Sequence, residues 1–420
     1  GVWISNSYSN DGVISDGVDD EPEGGIAVPT SPDAATGQYI PAYLLNELAT
    51  KDTDGSVNAL SPDFEIPTTT KFSIGVAHQR DLGALGEDWL LSADVLHNTL
   101  DNASYWYDQR CEQPVSTAPD GRGVYDCGGA PEAIVVGSFD GGESTLFALS
   151  ATKEWDTKAG RFDLFASYTH ADVKDIGYGT SSTATSNYSD FAAYDRQSPR
   201  EGISNFQVEH MFKLRANWRK ELVPGYETRV SLFATRRSGQ PYSYTFSENN
   251  NCVLDVGGGR CAREGRNDDA GHLLYVPAGI NDPLFSPSSF GGDAAAQQAF
   301  IDYIDGSELA QYRGGIAARN GDNSPMTTIV DLRLQQELPA LSSDHSFKLF
   351  LDIENLGNLL NDDWGRIERT RYEYERAVVS AAIDNGQYQY FDLQSPSDIN
   401  NLEVLSQSVW KLQIGLKYEF

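Results

Sequence analysis

The chain has 420 residues, with 61 Asp and Glu against 31 Lys and Arg and a formal net charge of -30. Phosphate backbones are held by clustered Lys and Arg, so a balance this acidic excludes nucleic acid as a partner. The 39 Gly, 21 Tyr and hydrophobic fraction of only 40% suit many short strands joined by polar loops better than a helical bundle, and no run reaches the roughly 18 apolar residues of a membrane-spanning helix.

Taken in chain order, twelve strands are predicted, at about 2–8, 68–80, 88–106, 143–155, 161–172, 206–219, 226–246, 326–338, 345–357, 366–383, 387–393 and 408–420. The opening Val2–Ser9 already alternates as a strand. It has no charged n-region, apolar h-region or cleavage site before it, so these residues are expected to be part of a longer protein. Further along, Phe72, Ile74 and Val76 oppose Lys71, Ser73 and Gly75. In the next strands Phe162, Leu164, Ala166 and Tyr168 oppose Arg161, Asp163, Phe165, Ser167 and Thr169. Phe212, Leu214, Ala216 and Trp218 then oppose Lys213, Arg215, Asn217 and Arg219, a face too basic for the core of a soluble sandwich. Val230, Leu232 and Ala234 oppose Arg229, Ser231 and Phe233. Val330, Leu332 and Leu334 oppose Asp331, Arg333 and Gln335, and Phe347, Leu349, Leu351 and Ile353 oppose Lys348, Phe350, Asp352 and Glu354. One apolar and one charged face per strand describes a sheet with lipid on one side and water on the other.

The last strand is the clearest case: Trp410, Leu412, Ile414, Leu416, Tyr418 and Phe420 share one face, and Lys411, Gln413, Gly415, Lys417 and Glu419 the other. Trp410 and Phe420 lie roughly 25 Å apart in height at about 3.4 Å per residue and a tilt near 40°, which matches the apolar band of an outer-membrane barrel with an aromatic at each rim.

Connection lengths alternate. Short links at Asp81–Glu87, Asp156–Gly160, Glu221–Gly225, Pro339–Asp344 and Asp384–Gly386 read as periplasmic turns. Long ones at 10–67, 107–142, 173–205, 247–325 and 394–407, with a shorter one near Gly357–Gly365, read as extracellular loops. Within 247–325 a helix is predicted at Ala294–Ile304, capped by Asp293, with Phe300, Ile301 and Ile304 on one face. That loop reads as a folded cap over the barrel mouth.

All four cysteines fall in these loops, as the local pairs Cys111/Cys127 and Cys252/Cys261, which predicts two loop-stapling disulfides in an oxidising envelope compartment. They lack a Cys-x-x-Cys unit and no histidine clusters with them, which disfavours a metal site. The acidic stretches Asp16–Glu23 and Lys51–Ser56, with Asp52, Asp54 and Gly55 in suggestive order, resemble pieces of calcium loops. Neither completes the ligand pattern, and a solvated acidic loop is the weightier reading. Six histidines, His78, His97, His170, His210, His272 and His345, are scattered one per segment without catalytic context, so no enzyme and no cofactor is expected. On the strand faces that point to a wet lumen, Arg215, Asp331, Arg333, Asp352 and Glu354 are the charges able to meet an anionic or zwitterionic ligand, or one another. Tyr105, Trp106 and Tyr107, at a loop base, are read as part of an aromatic rim in preference to a stacking surface for a sugar.

Several stretches form a familiar set: Ile353–Gly365 (IENLGNLLNDDWG), Ser238–Tyr244 (SGQPYSY), Leu274–Gly279 (LYVPAG), Tyr312–Gly314 with Arg319–Asn320, Asp331–Pro339 (DLRLQQELP), Trp410–Phe420 and the opening VWISNSYSNDG. Together they resemble the barrel of Oar-like TonB-dependent outer-membrane receptors. The resemblance implies an all-β, antiparallel transmembrane barrel of 22 strands around an N-terminal plug, of which residues 1–420 would be the C-terminal half, without plug, TonB-contacting box or signal peptide. It further implies a bacterial outer-membrane location and, as partners, lipid, the barrel-assembly machinery acting on the closing strand, the TonB complex through the plug, and an extracellular ligand captured by the loops for energised transport. The alternative is a self-contained twelve-stranded passive porin or surface adhesin.

Overall fold

The computed structural model describes residues 3–4, 57–128, 133–177, 179–247, 253–256, 271–340, 345–372, 374–400 and 402–420. Nine long strands form one antiparallel sheet: β1 (Thr68–Arg80), β2 (Trp89–Asp101), β3 (Glu143–Thr157), β4 (Gly160–Asp175), β5 (His210–Val223), β6 (Tyr226–Arg237), β7 (Thr327–Pro339), β8 (Ser346–Glu354) and β9 (Lys411–Glu419). Each pairs with its neighbour in sequence, so the sheet is a meander from β1 to β9. It does not close, and among the described residues the outer edges of β1 and β9 carry no long strand.

Register explains why the period-two patterns agree from strand to strand, since directly opposed residues share a face. Trp155, Phe162, Trp218, Val230, Leu334, Leu351 and Ile414 run as one row across seven strands. On the other face the adjacent row is Glu154, Asp163, Asn217, Ser231, Arg333, Asp352 and Gln413. The apolar face is bare: Phe72, Ile74, Val76 and Ile414 are each at least 60% exposed. Aromatic side chains bracket it. Trp89 and Trp155 meet edge-on at 5.7 Å near the short turns, where Trp218 Nε1 donates to the Ala159 carbonyl at 2.9 Å. Tyr168 and Phe212 pack at 4.7 Å toward the opposite end. Lys153 sits on the apolar face and departs from the pattern. Its ammonium reaches back to the Glu87 carbonyl and lies 5.8 Å over the Trp155 ring, so a long stem crosses apolar surface to a polar end.

Short connections (81–88, 158–159, 224–225, 340–345) lie at one end of the sheet and long ones (102–142, 176–209, 238–326, 355–410) at the other. Among the described residues nine of the twelve expected strands form the sheet; one correction takes two strands out of it, two more shorten strands that stay, and strand 2–8 is described only at Trp3–Ile4. Residues 366–383 and 387–393 do not enter the sheet: Glu375–Asp384 and Gln387–Phe391 form a hairpin within the last long connection. Val378, Val379, Tyr388 and Tyr390 are all fully buried there, and adjacent Val378 and Val379 bury both faces, whereas a wall strand would leave one face polar. The link Asp384–Gly386 is thus a turn inside the cap, with Asn385 and Gly386 at φ 51° and 75°, as a two-residue hairpin turn requires. The loops near 357–365 and 394–407 merge into one connection. Removing a hairpin removes two strands, so the alternation of short and long links survives.

The other two corrections are breaks within predicted strands. In 226–246 the chain leaves the sheet after Arg237; Gly239 lies where a Cβ would fall 2.1 Å from the Ser324 carbonyl oxygen, and Pro241–Phe246 is buried along its whole length. In 88–106 the break is Asn102 at φ 58°, after which Ala103–Asp108 pairs with Ala133–Phe139. Of the predicted strand 2–8 only Trp3–Ile4 is described. It pairs with Val57–Leu60 outside the main sheet.

The hydrophobic core sits in the long connections, which fold together as a cap. Pro241–Phe246, Asp322–Asn323 and the Glu375–Phe391 hairpin make a four-stranded sheet. Against it packs helix α1 (Ala294–Asp305), where Asp293 Oδ1 accepts from Ala295 N at 2.8 Å and Phe300, Ile301 and Ile304 are buried, as the sequence predicts. Val124, Phe246, Leu274, Phe300, Val378 and Tyr390 join segments from three of the four connections in one cluster. The predicted disulfide Cys111–Cys127 is formed. Cys252 and Cys261 lie outside the described residues, as do Asp16–Glu23 and Lys51–Ser56.

Candidate functional site

A cavity of about 290 Å³ opens in the cap where the end of β4 meets segments 191–203, 273 and 316–319. Its frame is backbone. Leu273 N donates to the Ala193 carbonyl at 2.9 Å and Ala317 N to the Leu274 carbonyl at 2.9 Å, which binds three loop segments into a short sheet. Tyr105, Ile176, Phe191, Leu273 and Ile316 give it apolar walls. Tyr105 is 2% exposed and its hydroxyl donates to the Arg196 carbonyl at 2.9 Å. Burial holds its phenol well above the ordinary value, against the pull of Arg196 and Arg319, so it stays a neutral donor. The aromatic-rim reading of Tyr105, Trp106 and Tyr107 is corrected: Ala103–Asp108 pairs with Ala133–Phe139 in the cap, because Asn102 turns it out of the main sheet.

The charges around the cavity are unevenly satisfied. Asp195 already accepts from Tyr125 Oη (3.0 Å), Gln197 N (2.9 Å) and Ser198 N (3.2 Å), and Glu201 Oε1 accepts from Gly142 N at 2.7 Å. Lys174 is paired with Glu143 at 2.6 Å. Arg319 is 6% exposed, and its Nη2 donates to the Gly202 carbonyl at 2.9 Å and to Asp175 Oδ1 at 2.5 Å. Its Nε and Nη1 have no hydrogen-bond partner among the described residues. An unfilled buried donor costs about 1–3 kcal/mol, more when charged. Gly202 makes room for this guanidinium, since a Cβ there would stand 2.7 Å from Nε. Exposed Arg200 lies 3.7 Å over the Tyr194 ring at the cavity margin. The carboxylates Asp195 and Glu201 are thus engaged, while two donors of Arg319 are buried without a partner among the described residues.

The charges singled out in the sequence lie elsewhere, on the polar face of the sheet. Arg333 pairs with Asp352 at 3.2 Å, and its guanidinium stands 4.7 Å over Phe350. Glu354 faces Lys411 at 3.6 Å. Asp331 accepts from Asn355 N at 2.8 Å, and Arg215 lies 5.7 Å from the Phe165 ring centre. Only Arg333 and Asp352 pair with each other; the other three are met by residues outside the set. Trp410, Leu412, Ile414, Leu416, Tyr418 and Phe420 are all exposed. The Cys111 and Cys127 sulfurs lie beside Asp108 but are tied to each other, so they are not metal ligands. Of the histidines, His170 and His210 are not scattered: β4 and β5 set them directly opposite each other.

The described fold is that of a mostly β protein: an open antiparallel sheet with one bare apolar face, under a folded cap that holds a cavity of about 290 Å³. Comparison with protein-family models gives no match for this chain, and comparison with curated proteins gives none either.

Proposed function

We propose that the chain is a wall segment and extracellular cap of an outer-membrane receptor of the TonB-dependent type, whose cap captures a small anionic ligand for energised uptake. The observation that carries this reading is the sheet itself. A continuous apolar face bracketed by aromatics, backed by a charged face, is what lipid outside and water inside demand. Irregular backbone is costly in lipid, so long connections gathered at one end belong outside the membrane. Two unpaired edges of this length are costly there as well, which favours nine strands within a larger closed barrel over a self-contained one. Counted back from β9 as strand 22, β1 becomes strand 14. An even number gives it the inward direction that the short turn after Arg80 requires.

The segments that carry the resemblance support the same reading. Ser238–Tyr244, Leu274–Gly279 and Arg319–Asn320 are distant in sequence yet meet in the cap: Ser243 Oγ accepts from Asn320 N at 2.9 Å, and Leu274 N donates to the Tyr244 carbonyl at 3.0 Å. On this reading a plug closes a lumen of that width and carries the pull of the TonB complex.

Arg319 is the capture residue in this proposal. Saturation-transfer NMR of the detergent-purified protein with small aromatic carboxylates and phosphates is expected to find binders. Arg319→Gln should weaken them on the order of 10- to 100-fold, the scale of one or two charged hydrogen bonds, and Gly202→Ala should act in the same direction by displacing the guanidinium. Undiminished binding in both variants would remove the cavity from the function.

A further inference from the structure

At the cap end of the apolar face, His170 of β4 and His210 of β5 are directly opposed, with ring centres 5.0 Å apart and planes tilted by 32°. Glu209 precedes β5, and its Oε1 stands 3.5 Å from His210 Nε2. One nitrogen from each ring and one carboxylate oxygen all lie within 4.8 Å of one another. In a tetrahedral zinc site with bonds of about 2.0–2.1 Å, neighbouring ligand atoms are about 3.4 Å apart. The Glu209–His210 separation is already close to that value, and the His170 nitrogen has at most about 1.4 Å to close.

Three further features fit a cation at this point. His170 Nδ1 is buried without a hydrogen-bond partner among the described residues, a cost that one tautomer and one ligand bond would relieve. His210 Nδ1 lies 2.9 Å from the Tyr168 hydroxyl. When Nδ1–H donates to that oxygen, the Nε2 lone pair is left facing Glu209, which is how outer partners orient metal-binding imidazoles. The backbone is also pinned: Ala171 N donates to the Glu209 carbonyl at 2.9 Å and His210 N to Ser238 Oγ at 3.1 Å. All three side chains are half-buried and so reachable from solvent.

We propose that His170, Glu209 and His210 form a binding site for one divalent transition-metal cation of the zinc class. Two imidazoles and one carboxylate select against calcium and magnesium, which take oxygen ligands. Three protein ligands leave the fourth position to water or to a ligand atom. The bound ion ties β4, β5 and the segment before β5 together at the boundary between sheet and cap.

The test uses the full chain in detergent, stripped with chelator and carrying no histidine tag, dialysed to equilibrium against zinc chloride. The expected result is one zinc per chain. His170→Gln and His210→Gln should each weaken binding by more than about 10-fold, the scale already set by outer partners alone. Glu209→Gln should weaken it as well, whereas His97→Gln, on the same face of β2, should leave it unchanged. Because a variant can misfold, cobalt(II) is titrated into the unaltered chain in parallel, where a tetrahedral visible absorption band is expected. Absence of that band, or zinc binding that survives the paired His170→Gln and His210→Gln substitutions, would overturn the site and leave the two rings as members of the aromatic border.

Discussion

Leu214→Arg is expected to abolish stable assembly of the protein in lipid, while Arg215→Leu, one residue away, leaves assembly intact. Leu214 lies in the apolar row with Ala166 and Ala234, between Phe212 and Trp218 on the same face, and Arg215 projects from the opposite face of the same strand. Arginine on the lipid side of a barrel near the bilayer midplane costs about 2–4 kcal/mol. That is a large part of the roughly 5–15 kcal/mol by which a folded domain is held. Arg215 has an aromatic neighbour rather than a tight acidic partner, so a Leu there forfeits little. The measurement is the fraction of protein that resists urea extraction from outer membranes. Equal loss in both variants would mean that the two faces are not distinguished by lipid.

The second large effect is expected in the cap. Phe300→Ala should cost about 3–5 kcal/mol, as for other fully buried aromatics. Phe300 has no exposure and packs against Phe290 and Tyr390 at ring distances of 5.9 and 5.1 Å. Since the core lies in the cap and the sheet, on the proposed reading, is held by lipid contact and strand pairing, the damage should stay local. Limited proteolysis is expected to cut within 241–320 and 375–400, with near-UV dichroism reduced and strand content retained. Loss of the whole sheet would show instead that cap and wall unfold as one unit.

The wall was legible because period-two alternation is set residue by residue, and β5 or β9 shows it without any neighbour. Helix α1 was legible for a similar reason, with a capping Asp293 and apolar residues at helical spacing. The Glu375–Phe391 hairpin was misread because its own turn and alternation mimic a wall pair. The discriminating signal was present in Val378 and Val379, adjacent and apolar, with no charged face on the strand. The cavity left no such trace. Arg319 stands in a loop, and its partners are Asp175 at the end of β4 and Gly202 in the connection after it, so only tertiary packing joins them. His170 and His210 are neighbours only through the β4–β5 register, which the long connection 176–209 conceals.

Photolabelling from within the bilayer tests the central claim most directly. A diazirine-bearing lipid is activated in native outer membranes and the modified residues are mapped by peptide mass spectrometry. The account predicts label on Phe72, Ile74, Leu214, Leu232 and Ile414, and none on Lys213, Arg215, Arg333, Asp352 or the cap. Equal labelling of both faces, or recovery of the protein in the aqueous fraction, would contradict it.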